Sequence, residues 1–338
     1  EKNTDLIFAR PDEEIGTVFG KTSDLTLSET DFIDIPVFRT RVLAPGWPRH
    51  RPTGIWLLRS RDMRRDIRAN YKGFTELDLD EAYNTHFSVP LTEHIETHPE
   101  YFAYDPIKKV RRFVRHGEGT MCLSIPGLPA IWAKGLADRV AAHEKRFGRK
   151  VDSVRIGPGD NWYCCECEKC LAPITLEDGS KLACKDPDSI KDPQFRSTQI
   201  FKFLNEAMPT WLELRPDIPL HVLAYIHFAE PPLVDLHPAL GVYFAPYPTD
   251  NMHYPLLDER QRDPWRRRFE RWLEMSPNLG MYGYLYSNPR HLALRSPKIS
   301  ALSCAIPITK TRSFMPRWIT MSVRRALART SLAGTSRS

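Results

Sequence analysis

A chain of 338 residues can bury a full core as one large domain or two smaller ones, and 41% hydrophobic with 11% aromatic residues is the composition of a folded globule. No apolar run reaches the ~18–20 residues of a membrane span. The formal charge of +6 is uneven: no acid follows Glu274, and setting aside the ten Lys and Arg from Arg290 onward leaves 38 basic against 42 acidic residues. The body is thus mildly acidic, which argues against nucleic acid as its partner.

The chain opens at Glu1 without Met and reads as a fragment or a processed form. Residues 1–30 are expected to be a lead-in or the remnant of a preceding domain. Ile33 to Arg39 reads as a first strand, and Gly54 to Arg59 as an apolar run leading into charged sequence. Met121 to Ile125 is short and apolar, ended by Pro126. Ile131 to Phe147 has helical spacing, with Trp132, Leu136, Val140 and His143 on one stripe and Gly148 as a stop. Val151 to Ile156 reads as the next strand. Phe195 to Leu214 predicts a second amphipathic helix with Ile200, Phe203, Leu204, Ala207 and Trp211 inside. Strands are expected at Leu220–His227, Gly241–Ala245 and Gly280–Tyr286. A charged helix from Asp258 to Met275 buries Trp265, Phe269, Trp272 and Leu273.

Strands alternating with helices predict a parallel α/β sheet. No Gly-rich phosphate loop interrupts the pattern, so a TIM-like (β/α)8 barrel over residues 31–289 is expected rather than a nucleotide-binding sheet. With about seven strand candidates it reads as incomplete at its C-terminus. Residues 290–338 mix Ser, Arg and Pro without a clean period and are expected to be a basic tail, disordered or out of frame.

Five of the seven cysteines lie from Cys164 to Cys184. Cys164 and Cys167 form one C-x-x-C pair, and Cys167 and Cys170 an overlapping one. That spacing lets two sulfurs reach one ion. Cys165 (or Cys164), Cys167, Cys170 and Cys184 are the expected ligands of a structural zinc. Disulfide pairing in an exported protein, or free thiols, remain the alternatives. No His or acid accompanies the thiols at ligand spacing, so a catalytic metal is not expected.

Two carboxylates sit just past strands. Asp160 follows Val151–Ile156 through a Gly-Pro-Gly turn, and Glu230 follows Leu220–His227. Glycosidic cleavage needs two such groups, one as acid and the other as base, nucleophile or orienting group. The plain alternative for Asp160 is a loop cap bonded to backbone N–H groups. His86, Tyr225, His227, Tyr243, His253 and Tyr286 would line one rim, with Asn161 and Trp162 beside Asp160. Sugar rings stack on aromatics while His and Tyr bond their hydroxyls, although each residue alone is more often core.

An ordered series of segments resembles the bacterial domain-of-unknown-function family 4838, part of which is recognised as glycoside hydrolase family 163. The segments are His86-Phe87-Ser88, His98 to Ala103, Cys122-Leu123-Ser124, Gly157 to Asn161 running into Cys165 to Cys170, Leu223-Ala224-Tyr225, Pro231-Pro232, Tyr243 to Pro246 and His253 to Leu256. The resemblance implies a TIM-like barrel and an endo-β-N-acetylglucosaminidase-like activity on complex N-glycans, with retention of configuration. It also implies Asp160 as the strand-end acid and His86 and His253 as cleft histidines. A glycan or glycoprotein partner and an exported location (periplasmic, extracellular or cell-surface) are the corresponding expectations. A non-catalytic carbohydrate-binding barrel and a zinc-stabilised interaction module are the competing readings.

Overall fold

The structure is a computed structural model that describes residues 7–8, 17–18, 82–112, 121–158, 164–247, 258, 260 and 264–282. The chain divides into two compact units, residues 1–80 with 307–338, and residues 81–306. In the first, β1 (Ile7–Phe8) pairs antiparallel with β2 (Thr17–Val18). The strands expected at 33–39 and 54–59, and the boundaries expected at 30 and 289, lie outside the described residues.

The second unit carries the parallel sheet. Its strands are β3 (Ala82–His86), β4 (Ala103–Asp105), β5 (Val110–Arg112), β6 (Ser153–Gly157), β7 (Ile174–Thr175), β8 (Lys181–Leu182), β9 (Leu220–Ala224), β10 (Leu240–Phe244) and β11 (Leu279–Met281). Its helices are α1 (Leu128–Phe147), α2 (Glu168–Leu171), α3 (Pro193–Leu214) and α4 (Trp265–Met275). Strands β3, β6, β9, β10 and β11 form one parallel sheet in sequence order, and the other strands make two antiparallel hairpins, β4–β5 and β7–β8. Each sheet strand therefore pairs with the next one in the chain, without a reversal of order. The described residues show this open five-stranded sheet; a closed eight-stranded barrel is not among them.

The sheet is amphipathic in a way that fixes where function can sit. Val154, Ile156, Leu220, Val222, Leu240, Val242 and Phe244 are buried in one core with Trp132, Leu136, Phe201, Leu204, Trp211, Phe269 and Trp272 of the helices. The alternate residues Arg155, His221, Leu223 and Tyr243 are only half-buried. Period-two alternation therefore gives each strand a helix-covered face and an opposite polar-aromatic face. Helix α3 starts where Asp192 accepts a hydrogen bond from Phe195 N–H, with Pro193 in the first helical position. Helix α1 starts three residues before the periodicity predicts, at Leu128, and stops at Gly148 as predicted.

Two strand expectations change on folding. Met121 to Ile125 contributes one bridge, Met121 to Phe102, and then turns instead of forming a strand. Leu220–His227 ends as a strand at Ala224, and Ile226–Ala229 forms a 3-10 turn. Ile226 takes φ 56, a left-handed conformation costly for a β-branched residue. The strand at 82–86 was not legible, because Ala-Tyr-Asn-Thr-His lacks the apolar run of its neighbours. No helix among the described residues is long and apolar enough to cross a membrane.

Candidate functional site

Four cysteines converge beside the β4–β5 hairpin. The sulfurs of Cys122, Cys165, Cys167 and Cys170 all lie within 4.8 Å of one another. Cys122 Sγ is 3.7 Å from Cys167 Sγ and 3.7 Å from Cys170 Sγ. A zinc–sulfur bond of ~2.3 Å places tetrahedral sulfurs about 3.8 Å apart, whereas a disulfide needs ~2.05 Å. The four are free thiols; the two Cys122 distances match that spacing, and the group lies close enough to bind one metal ion such as zinc.

Three stretches of chain position these sulfurs. Cys122 N–H donates to Tyr101 O at 2.8 Å, anchoring it behind the hairpin. Glu166 N–H donates to Tyr104 O at 3.1 Å, so the loop bearing Cys165 and Cys167 lies along β4. Cys170 sits in α2, whose first turn brings Cys170 N–H to Cys167 O at 2.9 Å. Helix α3 grips the loop from behind: Gln199 Nε2 donates to Cys170 O at 2.8 Å, and the fully buried Arg196 donates to Cys165 O at 3.1 Å.

Donors also surround the sulfurs themselves. Tyr104 N–H points at Cys165 Sγ from 3.3 Å, Arg111 Nη1 stands 3.8 Å from the same atom, and Ser124 Oγ is 3.3 Å from Cys122 Sγ. Four thiolates around a dication carry two net negative charges, and such outer donors spread that charge and orient the ligands. Without a cation the thiols cannot all ionise. Cys165 and Cys170 bond to Cys122 and hold it far below the ordinary thiol range; the same contacts push Cys165 up to about 12 and Cys170 upward as well. A crevice of about 240 Å³, lined by Arg111, Cys122, Ser124, Cys167 and Lys169, opens on the group and offers an ion a way in.

Cys184 is not the fourth sulfur. It donates to Asp186 O at 3.3 Å, outside the group. Cys122 takes the place expected of it, supplied by a segment more than forty residues upstream that ligand spacing alone does not connect. Cys164 also turns away, its Sγ 3.6 Å from His227 Nε2. Burial pushes that thiol up to about 11. Burial, with Arg196 nearby, pushes the His227 imidazole down to about 3, so both stay neutral.

The family-model comparison matches Domain of unknown function (DUF4838) over residues 14–316. The chain belongs to the DUF4838 family. Comparison with curated proteins and with solved structures gives no match.

The remaining candidate residues of this DUF4838 chain divide by position. His86 ends β3 and pairs in register with Gly157 at the end of β6. Tyr243 lies one residue from the end of β10, and Tyr225 directly follows β9, its ring 6.2 Å from that of Tyr247. These sit together at the carboxyl end of the sheet. Asp160, Asn161, Trp162, His253 and Tyr286 lie outside the described residues.

Glu230 is 5% exposed and already committed. Arg267 grips both its oxygens at 2.8 and 3.1 Å, and Arg268 Nε holds the second at 2.6 Å. Burial raises its pKa, but the two guanidinium groups outweigh burial and hold it below the usual carboxylate range. A group so held keeps no proton to give and ties α4 to the loop after β9. Sequence position alone could not separate this anchor from a catalytic acid; the Arg-Arg pair at 267–268 was the available signal.

Proposed function

We propose that this DUF4838 chain is a glycoside hydrolase-like protein acting on N-acetylglucosamine-containing glycans, with the four-cysteine group as a structural zinc site. The observation that carries the reading is the clamp on the loop after β6. That loop leaves the sheet at Gly157 beside His86 and re-enters described structure at Cys164, next to the first metal-ligating thiol. Asp160 falls in the stretch of sequence between the end of β6 and Cys164. Parallel sheets place chemistry on such strand-end loops, and the unreversed strand order supports a barrel wall. Asp160 would be the acid/base, or the group orienting a substrate acetamide. Zinc when bound supplies a fixed tetrahedral cross-link; Tyr104, Arg111 and Ser124 hold its sulfurs in place.

The test is incubation of the full chain with a complex N-glycoprotein, with released glycan followed by mass. Release by the parent protein and none by a folded Asp160→Asn variant is expected. Unchanged release by that variant removes Asp160 from the mechanism.

Glu230 favours a second reading, a carbohydrate-binding domain without turnover. Its carboxylate is saturated by Arg267 and Arg268, and a glycosidase needs two available acids. Glycan binding without release, unaffected by Asp160→Asn, supports that alternative.

A further inference from the structure

The four sulfurs of the cysteine group are not equally reachable. Cys122, Cys165 and Cys170 are buried, the first and last completely, whereas Cys167 is only half-buried. The crevice beside the group is lined by Cys167 and Cys122, and neither Cys165 nor Cys170 borders it. Its volume of about 240 Å³ takes several water-sized molecules at ~30 Å³ each. A small neutral solute entering from solvent therefore meets Cys167 first, with Cys122 behind it.

Those two sulfurs are already in van der Waals contact, 3.7 Å apart. Polar groups of the crevice stand around them. Ser124 Oγ is 3.3 Å from Cys122 Sγ, 3.4 Å from Cys170 Sγ and 3.8 Å from Cys167 Sγ, so one hydroxyl touches three of the four sulfurs. Arg111, on the same wall, brings Nη1 to 3.8 Å from Cys165 Sγ. Lys169 adds a second cation to the lining and Glu168 an anion. Accessible thiolates beside cations oxidise selectively, and a second thiol in contact carries the product on to a disulfide.

We propose that Cys167 is an oxidation site, at which hydrogen peroxide joins it to Cys122 as a disulfide and so releases the metal. The release rests on the structural-zinc reading; the pairing of Cys167 with Cys122 rests on the crevice and the sulfur distance alone. The Cys167 thiolate attacks one peroxide oxygen. The S–O bond forms, the O–O bond breaks and hydroxide leaves, giving a sulfenic acid. The Cys122 thiolate then attacks the Cys167 sulfur. The S–S bond forms, the S–O bond breaks and a second hydroxide leaves. The two sulfurs have then given two electrons to the peroxide. Cys165 and Cys170 remain as sulfur ligands, half of the four that a structural zinc site needs. Reduction by an added dithiol returns both thiols and restores the site.

Titration of the purified full chain with hydrogen peroxide tests it. Zinc content is measured first, released zinc is followed with a chromogenic chelator, and free thiols are counted. Disulfide-linked peptides are then located by tandem mass spectrometry. Expected are loss of zinc in step with two thiols, a Cys122–Cys167 linkage, and recovery of zinc binding after dithiothreitol. Cys184→Ser should respond as the parent does, since that thiol lies outside the group. Zinc retained under peroxide, or oxidation that ends without the Cys122–Cys167 linkage, overturns the proposal. Purified protein that holds no zinc removes the metal reading by itself. Peptide mapping still decides in that case: a Cys122–Cys167 linkage keeps the oxidation site, and its absence overturns it.

Discussion

Cys122 and Cys167 stand 45 positions apart in the chain and 3.7 Å apart at their sulfurs. A metal ion held by both would join the segment after the β4–β5 hairpin to the loop after β6. Such a cross-link would stand in for a packed core: the second buried cluster of the unit contains only Ala103, Cys122, Cys165 and Cys170.

The metal assignment separates Cys122 from Cys184. The purified protein should hold one zinc per chain by mass spectrometry of metals. Cys122→Ser should lose it and lower the melting temperature, because zinc-binding energy is folding energy in such a site. Cys184→Ser should keep full zinc content. Equal retention in both variants would sink the four-sulfur assignment.

Glu230→Gln should destabilise the fold by about 3–5 kcal/mol in urea denaturation, since it leaves Arg267 and Arg268 facing a neutral group. The folded-state pKa of Glu230 lies below its ordinary value. Its contribution is therefore present above the ordinary carboxylate range and lost as pH falls through the folded value. A loss under ~1 kcal/mol would return Glu230 to the list of free, functional acids.

Acid should weaken the fold through His227 as well. The unfolded imidazole takes up its proton near pH 6.5, whereas the folded one stays neutral to about 3. Between those values the unfolded chain binds more protons, so stability falls with falling pH, by at most about 1.4 kcal/mol per unit. Replacing His227 with Phe should flatten that part of the stability–pH curve. An identical slope in parent and variant would mean that His227 is accessible and protonated in the fold.

Lys109 turns the β4–β5 hairpin with φ 53, a conformation in which its Cβ crowds the backbone. Its side chain is exposed, so Lys109→Gly should raise stability by about 0.5–1 kcal/mol. Because this hairpin carries Tyr104 and Arg111, zinc affinity should hold or improve. A drop in melting temperature would show that Lys109 has a role the backbone does not explain.

Local pattern sufficed for much of this chain. The stripes Trp132–Leu136–Val140 and Ile200–Phe203–Leu204–Ala207–Trp211 are buried in helices as their spacing requires, because helical periodicity is a property of neighbours in sequence. The parallel α/β character followed from alternation of such segments, and three of the four clustered thiols from the one cysteine-rich run Cys164–Cys170. Tertiary structure alone decided the rest. It chose Cys122 over Cys184, because coordination depends on distance in space and the hairpin brings a remote thiol nearer than the next one along the chain. It committed Glu230 to two arginines of α4. Each of these depends on which groups fold together, and no spacing along the chain encodes that.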